Sequence, residues 1–464
     1  MSIPENSHRR YRQTLILWLI HSVNQLFPNE HLKILYSILD GIYCEFADSM
    51  LSVREVARIE EFLKTWVAED HLLPFEAKDD GFFYCKVNDQ TIKSLYPPLE
   101  RSGPMYPFRL IHYPPGFILL FSNPDHPEKL TSFIPPEKLA ATFLETQRWN
   151  ENLHFSEVQD VNQIIEEQRS QELICLAEAL HEKKVSLIAD RILEQRKNVR
   201  IILISGPSSS GKTTFAQRLA TQLRVNGLRP VALSLDNYFC AREDTPKDSE
   251  GQPDFEALEA LDLPLLNNHL HALIHGKEIE CPIYDFESGR RKNYGTIMKL
   301  SPDEILVIEG IHGLNPRLLS SLDRNTIFKI YVSALFLVNI DTYNRIPTTE
   351  VRLIRRLVRD DKFRGLPPEK TLSQWPSVRR GENSNIFPYQ EEADVMFNSS
   401  LLYELNALRS YAEPHLISIP KDHPHYSTAD HLLRLLNHFS PIDIHKVPFN
   451  SILREFIGGG IYSH

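Results

Sequence analysis

The spacing of apolar positions changes several times along the chain. From residue 8 to 27 they recur at the three-to-four-residue interval of one helix face, and Pro28 ends the run. Ile34–Ile38 and Gly41–Phe46 then read as strands, and Phe82–Val87 as another. Residues 53 to 70 return to helical spacing, with Glu and Arg between the apolar positions. From 97 to 137 prolines break any period: Pro97, Pro98, Pro104, Pro107, Pro114, Pro115, Pro124, Pro127, Pro135 and Pro136. That stretch reads as loops and edge strands. Residues 1–150 are therefore expected to form a small α+β domain.

Residues 156 to 197 are rich in Glu, Gln, Leu and Ala and have no interior Gly or Pro, which predicts two helices in a connector over 151–197. At Val199 the pattern changes again. Short apolar runs now alternate with amphipathic helices, the mark of a parallel sheet covered on both faces. The predicted strands are Val199–Ser205, Pro230–Leu235, Ile305–Glu309, Phe328–Val332, Val395–Phe397 and Leu416–Ile419. The expected fold class is α/β, a doubly wound parallel sheet of the P-loop NTPase type over 198–440, preceded by the smaller α+β domain. A tail, 441–464, carries Pro441, Pro448 and the Gly458–Gly460 run.

The strongest chemical signal lies between the first of these strands and a helix predicted over Lys212–Asn226. Gly206, Pro207, Ser208, Ser209, Ser210, Gly211, Lys212 and Thr213 match G-x-x-x-x-G-K-[ST] in full, and Thr214 follows. Glycines let the backbone wrap close to phosphates, and successive N–H groups make an anion nest at a helix N-terminus. Lys212 places a charge on the β- and γ-phosphates of ATP, and the Thr213 hydroxyl is a Mg²⁺ ligand. Glu309, an acid ending an apolar strand, is the second residue expected at the metal. Asp236, after the neighbouring strand, is placed to take the proton of an attacking hydroxyl; as Asp-Asn it is also good turn chemistry.

The segment from Cys281 to Lys292 mixes aromatics, acids and bases between prolines and glycine, which suits either a base-stacking wall or an exposed hairpin. Residues 350 to 365 form an arginine ladder, Arg352, Arg355, Arg356, Arg359 and Arg364. Such a helix either pairs its own charges at the surface or closes over the transferred phosphate, and Arg359 and Arg364 are the expected lid residues. His423, His425 and His431 read as scattered surface histidines rather than a metal site.

Composition narrows the partners. The net charge is −10 with a pI near 6.0, which makes the chain a poor non-specific partner for nucleic acid or an anionic membrane. The five scattered cysteines, Cys44, Cys85, Cys175, Cys240 and Cys281, contain no CxxC pair, which fits free thiols in a reducing compartment. The longest early apolar run, Leu15 to Ile20, is far short of a membrane span. A cytoplasmic enzyme is expected, passing the γ-phosphate of Mg·ATP to a small hydroxyl-bearing acceptor.

GPSSSGKTT at 206–214, LSLDNYF at 233–239, PDFEALEALD at 253–262, PIYDF at 282–286, VIEG at 307–310 and RRLVRD at 355–360 together resemble the uridine kinase branch of the uridine kinase/phosphoribulokinase family. The resemblance implies transfer to the 5′-hydroxyl of a nucleoside. It implies that Asp236 is the catalytic acid-base residue, with Lys212, Arg359 and Arg364 acting on the phosphates. It places Glu256, with Asp254 near it, at the ribose, Tyr284 and Arg291 at the acceptor, and Arg359 and Gln374 as further acceptor contacts. Kinases of that branch often form homo-oligomers. Two positions depart from it: Gly289 stands where those kinases carry a base-reading histidine, and Phe239 where they carry a tyrosine, so the base is open. HSVNQLFP at 21–28 and LDGIYCEF at 39–46 look like the second additional domain of threonyl- and alanyl-tRNA synthetases. Gln13 and Leu17 replace its HxxxH pair, so editing chemistry is not expected. The whole layout, through SILREFIGG at 451–459, resembles bacterial nucleoside kinases with such an N-terminal domain. The alternatives are a kinase of a sugar phosphate, using Arg290, Arg291 or Lys292 for the second phosphate, and a nucleotide-dependent RNA-binding or regulatory protein.

Overall fold

The helical period at the start of the chain becomes α1 (Glu5–Leu26), which buries Tyr11, Leu15, Trp18 and Val23 against a sheet. That sheet begins with the hairpin β1 (Leu32–Ile38) and β2 (Gly41–Phe46). Next comes α2 (Val53–Ala68), opened by a capping box in which Glu55 N–H donates to Ser52 Oγ and Ser52 N–H to Glu55 Oε2. A small antiparallel sheet follows, β3 (Phe75–Ala77), β4 (Phe83–Val87) and β5 (Gln90–Ser94). The computed structural model describes residues 5–103, 106–123, 126–248, 251–318 and 323–462; Pro104 and Pro124 of the proline-rich stretch, and the ends of the outermost segments, lie outside them.

That stretch corrects an expectation. It holds a hairpin, β6 (Phe108–Tyr113) and β7 (Gly116–Phe121), and the main sheet runs β1-β2-β7-β6, so β7 is an inner strand with every residue buried. Pro114 and Pro115 occupy only the turn between Tyr113 and Gly116, where no ladder N–H is needed. The apolar run Phe117–Phe121 between the prolines was the signal for the strand. α3 (Glu137–Asn152) ends this α+β region, and the connector forms α4 (Val158–Glu166) and α5 (Ser170–Glu194).

The second sheet is parallel throughout. Its elements in chain order are β8 (Ile201–Ser205), α6 (Lys212–Val225), β9 (Arg229–Ser234), α7 (Leu263–Ile274), a flap of short strands β10 (Ile279–Cys281), β11 (Tyr284–Asp285), β12 (Arg290–Arg291) and β13 (Thr296–Met298), and then β14 (Glu304–Glu309) and β15 (Ile327–Ser333). After them come α8 (Thr348–Arg364), α9 (Pro368–Asn385), β16 (Val395–Asn398), α10 (Glu404–Ile417), α11 (Tyr426–Asn437) and the short α12 (Arg454–Ile457). The strand order is β16-β15-β8-β14-β9. Alternation splits β8 between two cores: Ile201 and Leu203 pack toward α7, Ile202 and Ile204 toward the helices of the other face. Burying each such side chain contributes about 1.5–3 kcal/mol.

The expected strand at Leu416–Ile419 is not one. α10 runs to Ile417, and Leu405, Leu408, Ala412 and Leu416 line its buried face at helical spacing. A short apolar run at the end of a buried helix looks like a strand in one dimension. The C-terminal segment is a packed part of the kinase core, with Ile452, Leu453, Phe456 and Ile457 buried. No helix among the described residues is long and apolar enough to cross a membrane.

The two sheets share structure at the start of α8. Asn344 receives Leu95 N–H at 3.0 Å and donates to Lys93 O at 3.1 Å, and Asn339 donates to Ile34 O at 3.2 Å. Buried Glu350 accepts from Tyr96 Oη at 2.7 Å, meets His431 Nε2 at 3.1 Å and lies 3.4 Å from Arg9. Burial alone would raise its carboxyl, but His431 and Arg9 outweigh that and hold it down at about 2.

The arginine ladder of α8 is neither a surface charge array nor, for the most part, a lid. Arg352, Arg355 and Arg356 are buried. Arg355 donates through Nε to Glu404 Oε2 at 2.7 Å and through Nη2 to Ser399 O at 2.9 Å, with both partners of the ion pair fully buried. Removing one member of such a pair strands the other. Glu404→Leu is expected to cost about 3–5 kcal/mol of stability, read from urea unfolding; a loss below 1 kcal/mol would mean that Arg355 finds another partner.

Candidate active site

The P-loop leaves β8 at Ser205 and turns sharply. A Cβ on Gly206 would lie 1.9 Å from Val332 O, so no side chain fits there. Ser209 and Gly211 take left-handed backbone (φ 59° and 85°), which rolls the chain into the first turn of α6. The loop's carbonyls are tied from outside: Ser208 O receives Arg352 Nη1 at 3.0 Å, Ser209 O receives Arg355 Nη1 at 3.3 Å, and Ser210 O receives the Ser399 hydroxyl. Arg356 Nη1 donates to Ser208 Oγ at 2.8 Å. Three successive carbonyls are thus held by donors outside the loop, which leaves the first-turn N–H groups of α6 for an anion.

Glu382 on α9 completes this support. It takes Ser208 N–H at 2.9 Å and pairs with Arg352, both of whose terminal nitrogens contact it, and with Arg379 at 2.8 Å. Its burial is outweighed by Arg352 and Arg379, which hold its carboxyl below the usual range. Inside the cradle, the hydroxyls of Ser209, Ser210 and Thr214 are buried without a hydrogen-bond partner. Orphaned donors at a helix N-terminus beside Lys212 fit phosphate oxygens. Lys212 Nζ folds onto Pro207 O at 3.1 Å, and Thr213 is partly buried in the first turn of α6.

Register sets Glu309 level with Ile204 on one side and Ser234 on the other, at the carboxyl rim of the sheet. Glu309 accepts from Ser234 Oγ at 2.7 Å. Burial, and then the charge of Asp236, push its carboxyl up to about 7, against the pull of Lys212. Asp236 sits in the helical turn Leu235–Tyr238 directly after β9. Two acids facing one lysine are short of positive charge, which fits a divalent cation. Among the described residues no three His, Cys, Asp or Glu side chains group to hold a metal by themselves, so a cation at Glu309 and Thr213 would need phosphate oxygens to complete its shell.

Glu256 packs against Gly381 of α9, where a Cβ would lie 2.2 Å from its own; it is buried and its Oε2 has no partner. Burial, then the nearby Glu382, push its carboxyl up to about 7, although Arg356 and Lys212 pull it down. Asp254 Oδ1 takes Glu256 N–H at 3.0 Å. Tyr284, on β11, is buried with its ring 5.6 Å from Phe239 and 5.2 Å from Phe286. Arg364 lies over Phe286, 5.0 Å from the ring centroid, and 3.7 Å from Asp360. Arg359 donates to Asp360 at 3.1 and 2.8 Å. Gln374 is partly buried on α9. Arg291 is spent on structure: it donates to Phe239 O at 3.0 Å, Asp262 at 3.0 Å and Tyr238 O at 2.9 Å, pinning the flap to the turn after β9. At Gly289 (φ 69°) a Cβ would lie 2.6 Å from Arg242 Nε, so Arg242 closes the place that a histidine would need.

Several of these residues were outside the reach of the sequence. Glu382 and Ser399 sit in segments without a motif; Glu455, which accepts Thr214 N–H at 3.0 Å, lies in SILREFIGG, a stretch noted only for its likeness and given no role. In the N-terminal sheet, Gln13 and Leu17 are buried in α1. His431 is held by Glu350, and the His423 and His425 rings lie 5.5 Å apart.

Comparison with known proteins gives the family. The model of the phosphoribulokinase/uridine kinase family matches residues 201–402. The chain is 32% identical over 197 residues to a uridine kinase of Deinococcus deserti, covering 42% of this chain and 86% of that protein. It is 32% identical over 198 residues to a uridine kinase of Lactobacillus helveticus, covering 42% and 84%. The solved structure of a possible uridine kinase from Bacillus stearothermophilus superposes with a TM-score of 0.31 at 19% identity, over 45% of this chain and 97% of that one. With its P-loop kinase sheet and these relatives, the chain is an ATP-dependent phosphotransferase acting on a small substrate, and it belongs to the phosphoribulokinase/uridine kinase family.

Proposed function

We propose that this kinase transfers the γ-phosphate of Mg·ATP to the 5′-hydroxyl of a nucleoside. The observation that carries the reading is the acceptor wall. Glu256 is a buried carboxylate with an unpartnered Oε2 in the field of Arg356 and Lys212, and Phe239, Tyr284 and Phe286 form an aromatic cluster under Arg364. A carboxylate suits ribose hydroxyls and aromatic faces suit a base. The uridine kinases among the relatives support it. A sugar-phosphate acceptor would need a free cation for its second phosphate. Arg290 and Arg291 are already paired, with Glu243 at 2.7 Å and Asp262 at 3.0 Å; Lys292, 5.8 Å from the Tyr294 ring centroid, is the cation left for that alternative.

In this reading the P-loop N–H groups and Lys212 hold the triphosphate. Thr213 and Glu309 hold the cation, whose charge offsets that of the phosphates. Asp236 orients the acceptor hydroxyl and takes its proton as the new O–P bond forms and the bond to the ADP oxygen breaks. Arg359 and Arg364 face the spreading phosphate charge. Gln374 contacts the acceptor, and Arg291 acts by positioning the flap.

The test is ATP consumption with Mg²⁺ against nucleosides and sugar phosphates. One nucleoside is expected to stimulate turnover, and Asp236→Ala to lower kcat by roughly 10²–10⁴-fold with nucleotide still bound. Stimulation by a sugar phosphate alone would reassign the acceptor, and none by any compound would sink the reading.

Glu256 adds a pH dependence. Its folded-state carboxyl titrates near 7 against an ordinary 4.5, so it is neutral below that and charged above. Acceptor KM should therefore rise as pH falls from 8 to 6, and Glu256→Gln should flatten the profile. The same shift makes the charged form a folding cost that grows between pH 4.5 and 7 and is fully present above. Glu256→Gln should be more stable than the native chain by up to about 3 kcal/mol at pH 8, with the gap closing by pH 5. A gap that is the same at both pH values would refute it.

A further inference from the structure

The kinase reading has no use for Glu455. Residues Ser451–Gly458 are buried and cross the face of the P-loop. Within them Glu455 Oε2 accepts the N–H of Thr214 at 3.0 Å. That N–H belongs to the first turn of α6, directly after Lys212 and Thr213, where it has no partner within the helix. In a cradle of this kind it is a phosphate donor. The Thr214 hydroxyl beside it is buried and unpartnered. Glu455 also adds its charge to that of Asp236 in raising the Glu309 carboxyl, which places it in the same electrostatic field as the metal-side acids.

The rest of the segment is fitted to this position. Ile452 Cγ2 lies 2.6 Å from where a Cβ on Gly211 would stand. Arg355, which holds Ser209 O from the other side, lies 5.0 Å from the Phe456 ring centroid. Arg454 keeps the segment coiled by donating to Ile444 O and Gly458 O, each at 3.1 Å. Lys362, on the helix that carries Arg359 and Arg364, donates to Ile457 O. Gly458 and Gly459 then leave in left-handed backbone (φ 76° and 70°).

We propose that Glu455 is an autoinhibitory latch, its carboxylate standing in for a nucleotide phosphate on Thr214 N–H, so that ATP engages fully only when that side chain swings off the N–H while Ile452, Leu453, Phe456 and Ile457 stay packed. The proposal rests on the reading of this loop as the ATP site. One N–H cannot serve a carboxylate and a phosphate together, and two anions at one helix N-terminus repel.

The experiment is calorimetric binding of Mg·ADP and a non-hydrolysable Mg·ATP analogue to the full chain, native, Glu455→Gln and Glu455→Ala. Glu455→Gln is near-isosteric, and urea unfolding shows that each variant folds. The latch predicts at least fivefold tighter nucleotide binding in Glu455→Ala, and a smaller gain in Glu455→Gln, whose amide oxygen still accepts the N–H but carries no charge. Binding no tighter than native in the variants that fold overturns the latch while the native chain still binds nucleotide. No nucleotide binding by any of the three chains overturns the ATP reading and the latch with it.

Discussion

The structure of the site depends on a set of buried guanidiniums. Arg352 and Arg355 have almost no exposed surface, and each is paired with a carboxylate that is equally buried, Glu382 and Glu404. Each also donates to a P-loop carbonyl. Isolated, any of these charges would be costly to bury. Together they satisfy one another and use their spare donors on the one loop whose carbonyls must face away from phosphate. The planar fork of arginine is suited to this, since it can serve a carboxylate and a backbone oxygen at once. The strand before the loop and the helix after it set where the loop is; α8, α9 and α10 set which way its peptide groups point.

From that constraint follows a division of labour along α8. Arg352, Arg355 and Arg356 face the loop and are fixed. Arg359 and Arg364, one and two turns further on, share Asp360 and remain partly exposed beside Phe286. One helix thus carries both the frame of the P-loop and, further along, two less buried cations. Its first turn is anchored through Glu350 to Tyr96 and His431, so the N-terminal region is built into the frame. Two carboxyls, Glu309 and Glu256, are raised to about 7, each by burial and a neighbouring acid, with Lys212 pulling both down. They are groups the fold leaves short of positive partners, which is how a site keeps places for a cation and for hydroxyls.

Much of this was legible before any coordinates. The P-loop is a local motif with a mechanism, and its flanking strand and helix have strong periods. The parallel strands β8, β9, β14 and β15 are apolar runs, and the first three have a glycine or an acid at or just past their carboxyl ends, Gly206, Asp236 and Glu309. What was missed is non-local. The run at Leu416–Ile419 was ambiguous because four apolar residues do not distinguish a strand from a buried helix end. β7 was hidden by prolines that turn out to sit only in its turn. The burial of Arg352 and Arg355 cannot be read from α8, whose own residues look amphipathic at best; it is decided by Glu382 and Glu404, 30 and 49 positions away. Glu455, more than 200 residues from the loop it touches, lies in the SILREFIGG stretch, whose likeness to relatives says nothing of where it packs.

If α8 frames the phosphate cradle from behind, urea unfolding of Arg352→Met with and without Mg·ADP will show it. The variant should lose about 3 kcal/mol or more without ligand and gain less from Mg·ADP than the native chain does, because the Ser208 carbonyl is released and the cradle loosens. An unliganded stability equal to the native one, with Mg·ADP stabilising both chains alike, would contradict it and return the arginine to the role of a surface or lid charge.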